Sequence, residues 1–387
     1  MTAGGFSATP RGERIVIGFF GLRNAGKSTL VNAFTGQDLA IVSDVAGTTT
    51  DPVAKAMEIA PLGPCTVIDT AGLDDSGPLG ERRVEKTLAV LATCDVVVWV
   101  ASPASVAENT ARARFDAECR ARRVPVVAYR REEGADDLKR RIAALELAEL
   151  QPGLLDGLVK TGDRVLCVCP IDAAAPKGRL ILPQVQAIRA CLDLGATAEV
   201  CQVPQLAALV AARGAWDLVI TDSQAFGEVA ATLPADQPLT GFSILFARQK
   251  GDLAAYCRAL DRVGNLRDGD RVLVAEGCTH RRQCGDIGTE KIPRALERLA
   301  GRRLSFAFAS GPSFDAGLLA REKPRLVVQC GGCMLTRREM LRRIELASVV
   351  GAETVNYGIL LAAAKGLRVA ATGTVRPMSQ CQGERRK

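Results

Sequence analysis

At 387 residues the chain is long enough for two or three domains of roughly 100–200 residues each, and its 48% hydrophobic content can fill their cores. Its apolar runs, residues 96–101 among them, are far too short to cross a bilayer, which argues against a helical membrane protein. The formal net charge of +7 is uneven: residues 270–387 carry 21 Lys/Arg against 11 Asp/Glu, which leaves the rest slightly acidic.

That basic third suits RNA, an anionic cofactor or an acidic protein partner. Aromatics at 4% and the lack of an RNA-binding module signature weigh against RNA. Residues 1–10 have neither a charged start nor an apolar stretch and read as a flexible lead, not a signal peptide. The expected compartment is the cytoplasm, where the 13 cysteines stay mostly reduced. Cys65, Cys94, Cys119, Cys167, Cys169, Cys191, Cys201, Cys257 and Cys381 lie outside ligand spacing and read as packing residues or free thiols.

Residues 14–20 read as a buried strand, followed by Gly21-Leu22-Arg23-Asn24-Ala25-Gly26-Lys27-Ser28 and a helical pattern from Thr29. Strand, GxxxxGKS and helix in that order form a P-loop. Its glycines let backbone amides approach phosphates, and the helix N-terminus favours an anion. Lys27 is expected on the β- and γ-phosphates and Ser28 on magnesium, with Gly21, Asn24, Ala25, Gly26 and Thr29 completing the nucleotide site. Gly47-Thr48-Thr49-Thr50-Asp51 reads as a switch segment in which Thr49, beside Thr48, closes on magnesium. Residues 67–69 read as a strand ending in Asp69-Thr70-Ala71-Gly72, a DxxG motif in which Asp69 holds magnesium through water and the Gly72 amide senses the γ-phosphate.

These three elements resemble the translation-factor-like GTPases related to Era and TrmE. Leu73 stands where Ras-like enzymes carry a water-orienting glutamine. The resemblance implies a potassium ion at Asn24 and slow, potassium-stimulated hydrolysis. A guanine-reading NKxD should follow the strand at 124–128, but the chain there reads Tyr129-Arg130-Arg131-Glu132-Glu133-Gly134. Weak guanine selectivity is therefore expected. A helix is expected over 135–150.

Gln151-Pro152-Gly153 reads as a linker. Beyond it, residues 162–168 read as a turn and strand, and further strands are expected at 198–203 and 216–222, with a Pro-started helix at Leu182-Pro183. No catalytic constellation appears, so residues 156–265 read as a structural or oligomerisation domain. Then the phrase repeats: Gly269-Asp270-Arg271-Val272-Leu273 echoes Gly162-Asp163-Arg164-Val165-Leu166, Ile292-Pro293 echoes Leu182-Pro183, and residues 325–328 echo 217–220. The offsets of 107, 110 and 108 are nearly constant, which predicts one βαβ-type design used twice. The expected fold class is α/β: a P-loop GTPase domain (1–155), then two smaller Rossmann-like domains, 156–265 and 266–387.

The last of these carries Cys278-Thr279-His280, and later Cys330-Gly331-Gly332-Cys333. Both cysteine groups should sit just past strand ends, the binding crevice of an open parallel sheet. The middle domain has Ile171 and Asp222 at the matching places and is expected to hold no metal. Three thiolates suit zinc or an iron–sulfur cluster rather than magnesium or calcium. His280 is the single histidine of the chain. It is a possible fourth ligand, with Cys284 and Gln329 as weaker rivals and an exchangeable fourth iron as the preferred reading.

Taken together, the Cys-x-His pair, the spacer 281–328 and the CxxC motif resemble the FeFe-hydrogenase maturation GTPase family, HydF. Residues 69–75, 80–87 and 175–184 share in the likeness. The family's second histidine is Gln329 here. The resemblance implies a homodimer with a 4Fe–4S cluster. It also implies a scaffold and carrier for the two-iron precursor of the hydrogenase active site, with the two radical-SAM maturases and apo-hydrogenase as partners. The rival reading is an RNA- or ribosome-associated Era-like GTPase with a C-terminal zinc domain.

Overall fold

The computed structural model describes residues 9–37, 53–74, 84, 87–103, 105–145, 147, 152–171, 180–277, 286–311 and 314–377. The chain forms two compact units, Met1–Gln151 and Pro152–Lys387. Among the described residues no helix is long and apolar enough to cross a membrane.

The first unit is built on β1 (Ile15–Phe20), β2 (Val53–Ile59), β3 (Gly63–Asp69), β4 (Val96–Val100) and β5 (Val126–Tyr129), in the order β2-β3-β1-β4-β5. Only the β2–β3 pairing is antiparallel. Parallel strands covered on both faces must be apolar throughout, and β1 and β4 obey this. Ile17 and Phe19 pack with Leu30, Phe34, Leu138 and Ile142 in one core. Val16 and Phe20 join Trp99 and Phe115 in another. Each large side chain so buried is worth about 1.5–3 kcal/mol. The helix expected over 135–150 is shorter, Ala135–Ala143. Its apolar face is complete at Leu138 and Ile142, and the Leu145 amide then bonds back to Ile142 O, which tightens the chain out of the α-helix.

In the second unit, β6 (Arg164–Val168), β7 (Thr197–Cys201), β8 (Leu218–Thr221) and β9 (Leu239–Gly241) lie in the order β7-β6-β8-β9. Strands β10 (Arg271–Glu276), β11 (Ser305–Ser310), β12 (Leu326–Gln329) and β13 (Glu353–Asn356) repeat it as β11-β10-β12-β13. All these pairings are parallel, and Val165 faces Leu218 as Val272 faces Leu326. The repeated phrase in the sequence is thus a repeated topology. Beyond β9 and β13 the chain enters the helices Phe242–Lys250 and Tyr357–Ala363 without a loop.

One feature departs from the expected order of domains. β14 (Leu367–Val369) and β15 (Val375–Pro377) add to the β6–β9 sheet, not to the β10–β13 sheet that precedes them. β15 pairs antiparallel with β9 through Val375 and Leu239, and Thr240 Oγ1 donates to Gly373 O at 2.7 Å. A boundary at 265/266 therefore divides the sequence but not the sheets.

Candidate functional site

The P-loop is shaped by close approach. A Cβ on Gly21 would sit 2.6 Å from Val100 O. Asn24 takes a left-handed φ of 59° and Gly26 one of 92°, after which the helix Lys27–Thr35 begins. Lys27 is 7% exposed. Its Nζ crosses the loop to donate to Leu22 O at 2.7 Å and Gly21 O at 3.4 Å. Ser28 Oγ donates to Asp69 Oδ2 at 2.6 Å. Asp69 is buried, and its second oxygen, Oδ1, has no hydrogen-bond partner among the described residues. Burial pushes the Asp69 carboxyl above its ordinary value, against the opposing pull of Ser28 and Lys27. An orphaned carboxylate oxygen beside a hydroxyl and an ammonium fits a hydrated cation and phosphate. Ala25 is half-buried and Thr29 exposed in the first helical turn. Thr48 and Thr49 lie outside the described residues.

The DxxG turn is bonded to this loop. Thr70 Oγ1 donates to Phe19 O at 2.6 Å, the Leu73 amide to Gly21 O at 3.3 Å, and the Arg23 amide to Asp74 Oδ1 at 2.6 Å. Gly72 is packed so closely that a Cβ there would lie 2.7 Å from Arg23 N. At the end of β5, where a base-reading motif was sought, Tyr129 is buried and donates its hydroxyl to Glu133 O at 2.6 Å. Glu133 Oε2 accepts from Arg141 Nη1 at 2.8 Å. Arg131 lies across the P-loop, its Nη2 3.2 Å from where a Cβ on Gly26 would stand. Sequence reasoning missed both Asp74 and Arg131. The one trace of the latter is the arginine pair closing β5.

Cys330 and Cys333 follow the C-terminal end of β12, which lies beside β10 at the point where the strand order reverses. The Cys330 amide continues the pairing to Ala275 O at 3.0 Å, and Cys330 Sγ then accepts the Gly277 amide at 3.0 Å. The Gly332 amide is a second donor to that sulfur. Gly332 has φ +69° and a Cβ on it would meet Met340 Sδ at 2.5 Å; one on Gly331 would lie 3.2 Å from Ser243 Oγ. Gly332 is thus required by packing as well as by the turn, whereas Gly331 is only closely packed. Asn356 fastens the turn from outside, Nδ2 donating to Cys330 O at 3.3 Å while Oδ1 accepts from Gly358 N at 2.7 Å and Ser243 Oγ at 3.1 Å. Buried Arg343 ties the ends of β10 and β11 together, through Glu276 O at 3.2 Å and Gly311 O at 2.6 Å.

Burial raises the thiols of Cys330 and Cys333. Amides from Gly332 and Gly277 pull Cys330 back down, and Lys250 does so for Cys333. A half-buried sulfur met by two amide donors suits a thiolate, the form that binds metal. Gln329 is buried, with Oε1 3.5 Å from the Tyr256 hydroxyl. Cys278, His280 and Cys284 lie outside the described residues, and among those described no group of three or more His, Cys, Asp or Glu forms a metal site. The expected packing cysteines, Cys65, Cys94, Cys119, Cys167, Cys169, Cys191 and Cys201, are buried and form no disulfide, and Cys257 is half-buried and likewise unbridged. Cys381 lies outside the described residues.

Comparison with known families matches residues 154–251 to the hydrogen maturase F dimerization domain and residues 254–371 to the hydrogen maturase F tetramerization domain. Residues 16–129 match the 50S ribosome-binding GTPase family. Among curated relatives, the tRNA modification GTPase MnmE of Azoarcus sp. (strain BH72) is 41% identical over 100 residues, 26% of this chain and 22% of its own. GTPase Der of Campylobacter hominis is 40% identical over 80 residues, 21% of this chain and 17% of its own. The chain therefore spans about a fifth of the length of the curated relatives it matches. Two solved structures are similar at 17% identity. S. thermophilus NFeoB bound to GDP·AlF4− has a TM-score of 0.26 and covers 37% of this chain and 69% of its own. Era in complex with MgGDPNP and a 16S ribosomal RNA segment has 0.25, with 87% and 97% covered. TM-scores this low carry no argument.

Proposed function

Because the chain belongs to the hydrogen maturase F family, we propose that it scaffolds and carries the two-iron precursor of the FeFe-hydrogenase active site on a bound 4Fe–4S cluster. Membership makes it a hydrogenase maturation GTPase, and its dimerization and tetramerization domains make it self-associating. In this reading residues 1–155 hydrolyse GTP, 156–265 dimerise as a homodimer, and 266–387 hold the cluster. The partners are the radical-SAM maturases and apo-hydrogenase, in the cytoplasm. The rival RNA-associated reading loses ground because the family matches over 154–371 are to maturase domains.

At the nucleotide site, amides from Gly21 to Thr29 take the phosphates, and Lys27 leaves its carbonyls for the β- and γ-phosphates. Ser28 and Thr49, with Thr48 beside it, would hold magnesium, Asp69 would hold it through water, and the Gly72 amide would sense the γ-phosphate. Magnesium bound there would neutralise phosphate charge. The orphaned Asp69 Oδ1 supports this assignment. With Leu73 in place of an orienting glutamine, hydrolysis is slow and stimulated by potassium at Asn24.

The single observation that carries the cluster reading is Cys330 Sγ, set at a strand end and met by the Gly277 and Gly332 amides. Cys278, Cys330 and Cys333 are the obligatory ligands. The fourth iron stays exchangeable, with His280 near it in sequence, as suits a carrier that must accept and release cargo. Anaerobic reconstitution with iron and sulfide, followed by EPR, tests this. Each cysteine changed to Ala loses most of the cluster, whereas His280→Ala keeps it and alters the response to added imidazole or cyanide. Protein that stays colourless and carries one zinc would overturn the reading.

A further inference from the structure

The cysteine turn is held by a residue from outside its own sheet. Lys250 is the last residue of the helix Phe242–Lys250, which follows β9 in the other half of the repeat. It is 1% exposed. Its Nζ donates to Leu335 O at 2.8 Å and lies 3.4 Å from Cys333 O and 3.5 Å from Gly332 O. The ammonium also stands 5.1 Å from the centre of the Phe246 ring. Arg337, two residues beyond Leu335, donates to Gln249 O and so fastens the same helix end to the same turn.

Keeping a lysine in such a place is costly. An ammonium removed from water loses several kcal/mol of solvation unless local dipoles or charges replace it. A turn needing only a clasp is served as well by a neutral donor. What a lysine adds is a positive charge at the base of a loop whose two sulfurs must become thiolates.

We propose that Lys250 is a positioning and charge-compensating residue for the group bound by Cys278, Cys330 and Cys333. The proposal rests on the iron–sulfur reading of those cysteines. Hydrogen bonds from Lys250 fix the carbonyls of Gly332, Cys333 and Leu335. Its charge offsets the net negative charge of an iron–sulfur core with three thiolates, which deepens when the cluster takes up one electron. The net charge around a cluster and the shell behind its ligands set how readily it is reduced and how firmly it is held. The role also makes the helix that ends the dimerization segment a structural part of the cluster site.

The test uses the full-length protein reconstituted anaerobically with iron and sulfide. Lys250→Arg keeps the charge, Lys250→Gln keeps a donor without charge, and Lys250→Met removes both. Iron per chain, the rate of iron loss to a chelator and the midpoint potential in a dithionite titration followed by EPR are measured for each. Dithionite supplies the single electron, and no proton need move. The expected result is that Lys250→Gln loads iron but loses it several-fold faster and is reduced at a more negative potential. Lys250→Arg tracks the unmodified protein on both readouts. A Lys250→Gln protein matching the unmodified one in loss rate and potential overturns the charge role, even if Lys250→Met loads poorly. If both neutral variants fail to fold, a Lys250→Arg cluster differing in potential as much as in loading overturns it as well, and one that tracks the unmodified protein supports it. If the unmodified protein takes up no cluster, the iron–sulfur reading falls and the Lys250 role with it. A normal cluster that is indifferent to Lys250→Gln refutes the Lys250 role alone.

Discussion

Lys27 spends its ammonium on two carbonyls of its own loop, and Ser28 spends its hydroxyl on Asp69. In the proposed nucleotide site both bonds are exchanged, for phosphate and cation, when nucleotide binds. Lys27→Ala is expected to cut triphosphate hydrolysis at least about a hundredfold, the scale for losing a donor aimed at developing charge. Cluster loading should be unaffected, since the two sites lie in separate units; failure to load iron would contradict that modularity. Arg131 rests on Gly26 without any side-chain partner for a particular base being evident in the sequence. Arg131→Ala should weaken GTP and ATP binding alike, several-fold, by calorimetry, and the unmodified protein should discriminate between them far less than the ~10⁴-fold of a base-reading site. A GTP preference of that size would mean a base-reading segment elsewhere. The sequence made the first shell of the P-loop plain, because GxxxxGKS fixes backbone shape and side-chain role together. Arg131, Asp74 and Lys250 were not legible. Each acts by contact with residues 51 or more positions away or beyond a chain turn, and no local pattern encodes such a meeting.

Elements were readable where burial is continuous. β1, β4, β6 and β10 announce themselves as apolar runs, and the repeated Gly-Asp-Arg-Val-Leu carried through to a repeated strand order. The strands β14 and β15 have three residues each, too short for any periodicity, and exist only because β9 offers an edge. The turn between Cys330 and Cys333 is an element whose glycines can be weighed against each other. Gly332→Ala faces a left-handed φ and Met340 Sδ at 2.5 Å, whereas Gly331→Ala meets only Ser243 Oγ at 3.2 Å. Iron per chain after reconstitution should fall by more than half in Gly332→Ala and little in Gly331→Ala. Equal losses would show that the turn is not held in this conformation.

Across the whole molecule, cysteine serves mainly as a small apolar residue. Burial pushes the thiols of Cys65, Cys119 and Cys169 up to about 12 and those of Cys191 and Cys201 up to about 11, from an ordinary 9.0. In the unfolded chain they ionise near 9.0, so between there and about 11–12 the native state holds more protons. Stability must then fall as pH rises. The denaturant midpoint should drop between about pH 8 and pH 10.5 in both units, and a level midpoint would contradict this burial. The return of β14 and β15 to β9 has a mechanical meaning. The cysteine-bearing sheet is spliced into its neighbour, entered after β9 and left before β14, so it is moored at both ends to one support. A sheet moored twice cannot swing out like a bead on a string. Proteolytic nicking between residues 251 and 270 should leave the halves clasped under native conditions, so under the proposed carrier role exchange at the cysteines takes place without the travel of this sheet.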